Sequence, residues 1–149
     1  MPDAQAAPPA QILLGFDFGI KRIGVAIANT VTGSARPLAT LEAESNDARF
    51  AAITAWIKEW QPTMLVVGKP VDAEGRATDM TLRAERFGRQ LAGRFGLPVK
   101  FANERYTSAV AEAALKPNRQ NKAMIDAAAA ALILQAWLDQ REETRHGHP

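Results

Sequence analysis

Asp17, Glu104 and Asp126 are acids that their local sequence does not account for, in a chain with no cysteine and with histidine only at His146 and His148. Asp17 stands between two phenylalanines in GFDFG, inside what reads as a strand. Alternation puts Ile12, Leu14, Phe16 and Phe18 on one face and Gly15, Asp17 and Gly19 on the other. The glycines leave room beside the carboxylate for an ion or a ligand; the other reading is an Asp that caps the turn at 19–21. Asp126 falls, at 100° per residue, on the same side of a helix as Ala129, Ala130, Ile133 and Trp137. An acid in the first turn of a helix is worth about 0.3–1 kcal/mol against the dipole, but a solvent-facing position would serve that end equally well. Glu104 ends a strand in FANERYTS, where a parallel sheet meets its following loop and where open α/β sheets place ligands. Asn103 and Glu104 alternate, so only one of them looks into a site on a given face. A surface pair with Arg105, or a cap near Thr107, is the alternative for Glu104.

Converging carboxylates repel one another by roughly 4 kcal/mol per pair at about 4 Å and an effective dielectric near 20. A hard divalent cation with oxygen ligands offsets that repulsion, and Mg²⁺, or Mn²⁺, fits a site without Cys or His. Such ions held by carboxylates suit in-line phosphodiester hydrolysis, in which water is activated and the leaving oxygen stabilised. Convergence follows only if the elements bring the three acids together.

The elements are read from hydrophobic period. Residues 12–19 and 22–29 are strand formers joined by a short polar turn, and RPLATLE, 36–42, makes a third strand after a second turn. Strands joined this tightly form an antiparallel meander. After Ser45 or Asn46 as cap, Phe50, Ile53, Ile57 and Trp60 mark one side of a helix that Pro62 ends. MLVVG is a short continuous apolar run, the pattern of a strand covered on both faces. Met80, Ala84, Phe87, Leu91 and Phe95 stripe a helix over 79–95 that Gly96 and Pro98 close, and VKFANE is a fifth strand. Two helices, about 107–116 and 123–141, finish the chain, the second apolar all round in AAAAALIL. The order βββαβαβαα predicts an α/β fold: a mixed five-stranded sheet, three strands antiparallel and then parallel ones, with helices on both faces. The division expected is a flexible leader over 1–11, one domain over 12–141 and a flexible polar tail over 142–149.

Composition bounds the function. One core suits 149 residues, and no run of about 18 apolar residues offers a membrane span. The start lacks a signal-peptide pattern, so a cytoplasmic location is expected. Net charge is only +2, yet Arg76 to Arg105 holds seven basic residues against three acidic ones. That half permits a polyanionic partner. VVGKP lacks the spacing of a P-loop, and folds that bind nucleotide through an Asp-x-Gly hairpin need two lobes, for which this chain is short.

Taken together, FDFGIKRIGVAIAN, RPLATL, EWQPTMLVVGKP, ERYTS and IDAAAAALILQAWLD occur in the order and spacing of the YqgF/RuvX family. The chain resembles these RNase H-like proteins along nearly its whole length, from about Leu13 to Asp139. The resemblance implies an RNase H-like sheet and a metal-dependent nuclease site at Asp17, Glu104 and Asp126. These match the family's first-strand Asp, the Glu of its Asp-Glu-Arg motif and the Asp of its last helix. It implies action on structured RNA, foremost the 5′ end of pre-16S rRNA in ribosome biogenesis, with resolution of branched DNA or RNA binding without hydrolysis as alternatives. A monomer or weak homodimer is expected. Two departures stand out: Asn103 replaces the motif's Asp, and Lys69 replaces a usual Leu. Lys69 is read as touching a phosphate, with a solvated surface lysine as the alternative. Lys21, Arg22, Arg105, Arg119 and Lys122 complete the basic residues expected to hold nucleic acid around the acids. Arg83, Arg86 and Arg94 share one side of their helix, the ordinary solvent face of an amphipathic helix.

Overall fold

The computed structural model describes residues 10–43, 45–103 and 122–146, with side chains in the last helix described over 124–141. Its elements are β1 (Ile12–Asp17), β2 (Arg22–Asn29), β3 (Ser34–Glu42), α1 (Asn46–Trp60), β4 (Met64–Lys69), α2 (Asp79–Phe95), β5 (Val99–Asn103) and α3 (Lys122–His146). The expected helix over 107–116 lies outside the described residues. The sheet order is β3-β2-β1-β4-β5. β1–β2 and β2–β3 pair antiparallel, while β1–β4 and β4–β5 pair parallel. This is the mixed sheet that the order of elements predicted, and the short turns between the first three strands are why they form a meander.

The pleat sorts side chains into two cores. On one face Leu14, Phe16, Ile23, Val25, Leu65 and Val67 pack against Phe50 and Ile53 of α1 and Ala84, Phe87 and Leu91 of α2. On the other, Leu13, Ala26, Ala28, Val66 and Ala102 pack against Ala130, Ile133, Leu134 and Leu138 of α3. β4 supplies both cores, and that explains its unbroken apolar run.

Local chemistry sets the ends. Ser45 caps α1, its side chain accepting from the Ala48 amide, and Gln61 closes that helix in the left-handed region at φ 48°. Thr78 and Thr81 form a reciprocal capping box at the start of α2, and Gly96 ends it at φ 66°. β3 begins at Ser34, two residues before the expected start. Its pairing with β2 slips between Val25 and Ala26, so that Leu38 bulges beside Pro37, a residue an edge strand tolerates. α3 continues to His146, five residues beyond the expected boundary at Arg141. QREETR contains strong helix formers, and the next residue that disfavours helix is Gly147.

α3 lies close to the sheet where the strands below it carry glycine. A Cβ on Gly15 would stand 3.0 Å from Leu134 Cβ, and one on Gly24 would stand 1.9 Å from the Asp126 main-chain oxygen. Gln135 fixes the helix from the side: its Oε1 accepts from the Ala35 amide at 2.8 Å and its Nε2 donates to the Gly33 carbonyl at 2.9 Å.

Candidate functional site

Asp17 is the last residue of β1 and is half-buried. Leu13 and Gly15 of the same parity face α3, so alternation carries Asp17 to that face, away from Phe16. Gly24 is its partner directly across the ladder. Over that same Gly24 sits the backbone of Asp126, so β1 and α3 bring two acids to one end of the sheet, around a residue with no side chain.

Asp126 is the fifth residue of α3, which begins at Lys122, and the first turn holds no acid. The dipole reading therefore falls: its carboxylate acts on something else. Arg22, two residues along β2 from Gly24, donates from Nε to Asp126 Oδ2 at 2.7 Å, and the two side chains are 28% and 25% exposed. A pair this open to water contributes roughly 1 kcal/mol or less, so it orients more than it stabilises. Arg22 was expected at nucleic acid; in this structure it holds an acid. Lys21 beside it is exposed. Ile20, Lys21, Arg22, Glu42 and Ala43 line an open recess of about 700 Å³ at this end. Glu42 stands opposite Arg22 in the β2–β3 register, an acid that sequence reasoning did not single out.

Lys69 lies elsewhere. It ends β4 with the parity of Leu65 and Val67, on the α1/α2 face, where its Nζ pairs with Glu85 Oε2 at 3.0 Å and lies 5.9 Å from the Phe101 ring centroid. In this structure the cation expected at a phosphate is paired with this acid of α2. Asn103 shares the parity of Phe101, whose ring reaches Gly88 of α2, and it lines a cavity of about 290 Å³ with Lys69, Thr81 and Glu85. Ala102 faces α3. The chain thus turns Asn103 away from the face of Asp17 and Asp126. Glu104, Arg105, Tyr106, Thr107, Lys116 and Arg119 lie outside the described residues, as does the side chain of Lys122. Among the described residues no three acids or histidines are grouped to hold a metal. The donor set that is placed, two carboxylates from β1 and α3 in a chain with no cysteine, is of the hard-oxygen kind that Mg²⁺ or Mn²⁺ takes.

Sequence reasoning also missed Arg49. On α1 it reads as one more solvent-facing arginine, and only the packing of α1 beside α2 puts it next to Arg83 and Arg86.

A family profile described as "RuvX: Holliday junction resolvase" matches residues 11–140. The chain belongs to the RuvX family. Two RuvX relatives, both provisionally named pre-16S rRNA nuclease, agree over most of their length. The one from Dechloromonas aromatica is 53% identical over 131 residues, covering 85% of this chain and 90% of its own. The one from Burkholderia cenocepacia is 49% identical over 138 residues, covering 90% and 93%. Among solved structures, Thermus thermophilus RuvC in complex with a Holliday junction superposes with a TM-score of 0.54 at 19% identity, over 90% of this chain and 97% of that one. That likeness shows that the RuvX chain has the RNase H-like fold of the resolvases.

Proposed function

We propose that this chain is a metal-dependent endonuclease that hydrolyses phosphodiester bonds, acting on the 5′ end of pre-16S rRNA in the cytoplasm during ribosome biogenesis. The observation that carries the reading is the seating of Asp126 over Gly24, directly across from Asp17, at the end of the sheet where β1 stops. RuvX relatives named for that substrate support the choice of RNA.

In this reading Asp17 and Asp126 are the acids that hold the metal, and Glu104 is the third. When bound, Mg²⁺ or Mn²⁺ supplies water activation and stabilisation of the leaving oxygen. Asp17 is fixed by the β1 ladder and Asp126 by the close packing of α3, so neither carboxylate has to be ordered when substrate arrives. Arg22 holds Asp126 in one rotamer, and with Lys21 it presents positive charge to the phosphates flanking the cleaved bond. Arg105, Arg119 and Lys122 are assigned to the same task.

The test is cleavage of a pre-16S rRNA 5′ fragment and of a four-way DNA junction, with Mg²⁺, Mn²⁺ or EDTA. Wild type is expected to cut the RNA only with metal, and Asp17→Asn to lose about two to three orders of magnitude in rate, the usual scale for a positioned polar group. Faster cutting of the junction would favour the resolvase reading. Tight RNA binding with no cleavage under any divalent ion would make the chain a binding factor.

A further inference from the structure

We infer that the α1/α2 face carries a second binding site for the substrate's sugar–phosphate backbone, a groove built from Arg49, Arg83 and Arg86 beside Phe18. The inference rests on the nuclease reading and extends it to a surface that the acids do not occupy.

The groove holds about 210 Å³ and is lined by Phe18, Asn46, Arg49, Arg83, Arg86 and Gln90, with Phe50 and Phe87 as its floor. Three guanidinium groups and two side-chain amides enter that lining, and among the described residues no carboxylate does. Arginine, asparagine and glutamine are donors to phosphate oxygens, and a lining of donors without an acid is the chemistry of a polyanion site. Arg49 and Asn46 come from the first turn of α1, whose one acid, Asp47, is not among the lining residues.

Existing partners do not consume these cations. Arg83 bonds Asp79 Oδ2 at 2.8 Å, but the Asp79 side chain is 77% exposed, so water competes for it. Arg86 has no ion pair among the described residues. Arg49 donates to the carbonyl of Ile20 and lies 5.9 Å from the centre of the Phe18 ring, which fastens α1 to the β1–β2 turn. The ordinary face of an amphipathic helix explains Arg83 and Arg86 singly. It does not explain their convergence with an arginine and an asparagine from a different helix.

Position links the groove to the acids. Asp17 and Phe18 are consecutive, and alternation turns Asp17 toward α3 and Phe18 into the α1/α2 core. A nucleic-acid strand whose phosphate reaches Asp17 has only to pass the turn at Phe18–Lys21 to enter the groove. The surface therefore fits the backbone a few nucleotides away from the cleaved bond, and it contributes to affinity and register instead of to the chemical step.

The experiment uses a fluorescein-labelled RNA with a duplex and a single-stranded 5′ extension, titrated in EDTA over a range of KCl, followed by cleavage kinetics with Mg²⁺. Arg83→Gln/Arg86→Gln is compared with wild type and with Lys58→Gln, an exposed cation at the far end of α1. Arg49 is left in place because it also holds the turn. The double variant is expected to weaken binding and to make the salt slope shallower by about one to one and a half. It should raise KM with kcat within about twofold, while Lys58→Gln changes neither slope nor KM appreciably. A double variant with the wild-type slope and KM, in a protein whose wild type binds and cuts, overturns the groove and leaves the nuclease reading standing. A wild type that neither binds nor cuts RNA overturns both. Unchanged far-ultraviolet circular dichroism and melting temperature separate lost contacts from lost fold.

Discussion

At the scale of single residues, the arrangement that matters is an acid held by a cation across 104 positions of sequence. Arg22 and Asp126 meet only because α3 lies over β2. Removing the cation should leave the fold nearly as stable, within about 1 kcal/mol, since the pair is partly solvated. Arg22→Gln should nonetheless tighten binding of Mn²⁺ by several-fold, because it takes a positive charge from beside the carboxylates proposed to receive the ion. Calorimetric titration of wild type and variant checks this, and unchanged binding would separate Asp126 from the metal. Asp17 was legible in the sequence as far as its direction, since period-two alternation fixes which face it takes. What it faces was not legible: Gly24 becomes its neighbour through the hairpin register, and Asp126 through the helix above it.

At the scale of elements, α3 is the piece whose placement the site depends on. Its approach is set by Gly24, where a methyl group would overlap the Asp126 carbonyl oxygen at 1.9 Å. Backbone cannot yield as a side chain does, so Gly24→Ala should cost about 1–3 kcal/mol in urea unfolding, the range for overpacking. It should also reduce cleavage more than that loss of stability explains, because the helix end that carries Asp126 must lift. Gln135 is the second anchor, binding the edge strand at Ala35 and the turn at Gly33. Gln135→Ala should cost roughly 1–2 kcal/mol by the same measurement, with the helix less firmly held against β3. The sequence announced a central helix through AAAAALIL and its small residues. It did not announce the matching glycines on the strands, because a glycine in a strand reads equally as a bulge or a weak point until something is packed on it.

At the scale of the whole molecule, the two sheet faces divide the labour. α3 covers the face to which Asp17 turns, while α1 and α2 cover the other and carry the arginine groove. The oligomeric state discriminates between substrates here. Symmetric cutting of a junction needs two active sites, so a chain serving RNA ends should sediment as a monomer or weakly associating dimer, and a stable dimer at micromolar concentration would favour branched DNA. Among the described residues no helix is long and apolar enough to cross a membrane.

The three-strand meander, the faces of β1 and β4, a helix start at Ser45 or Asn46 and the inward side of α3 were determined by the sequence alone, because each follows from a period, a turn or a cap only a few residues long. Tertiary structure decided the rest. Lys69 went to Glu85, Arg22 to Asp126, and Arg49 to a groove with Arg83 and Arg86. A long cationic side chain reaches any acid within several ångströms, and which acid stands there depends on how helices cross the sheet. That crossing comes from the summed packing of both cores, and no local stretch of the chain contains it.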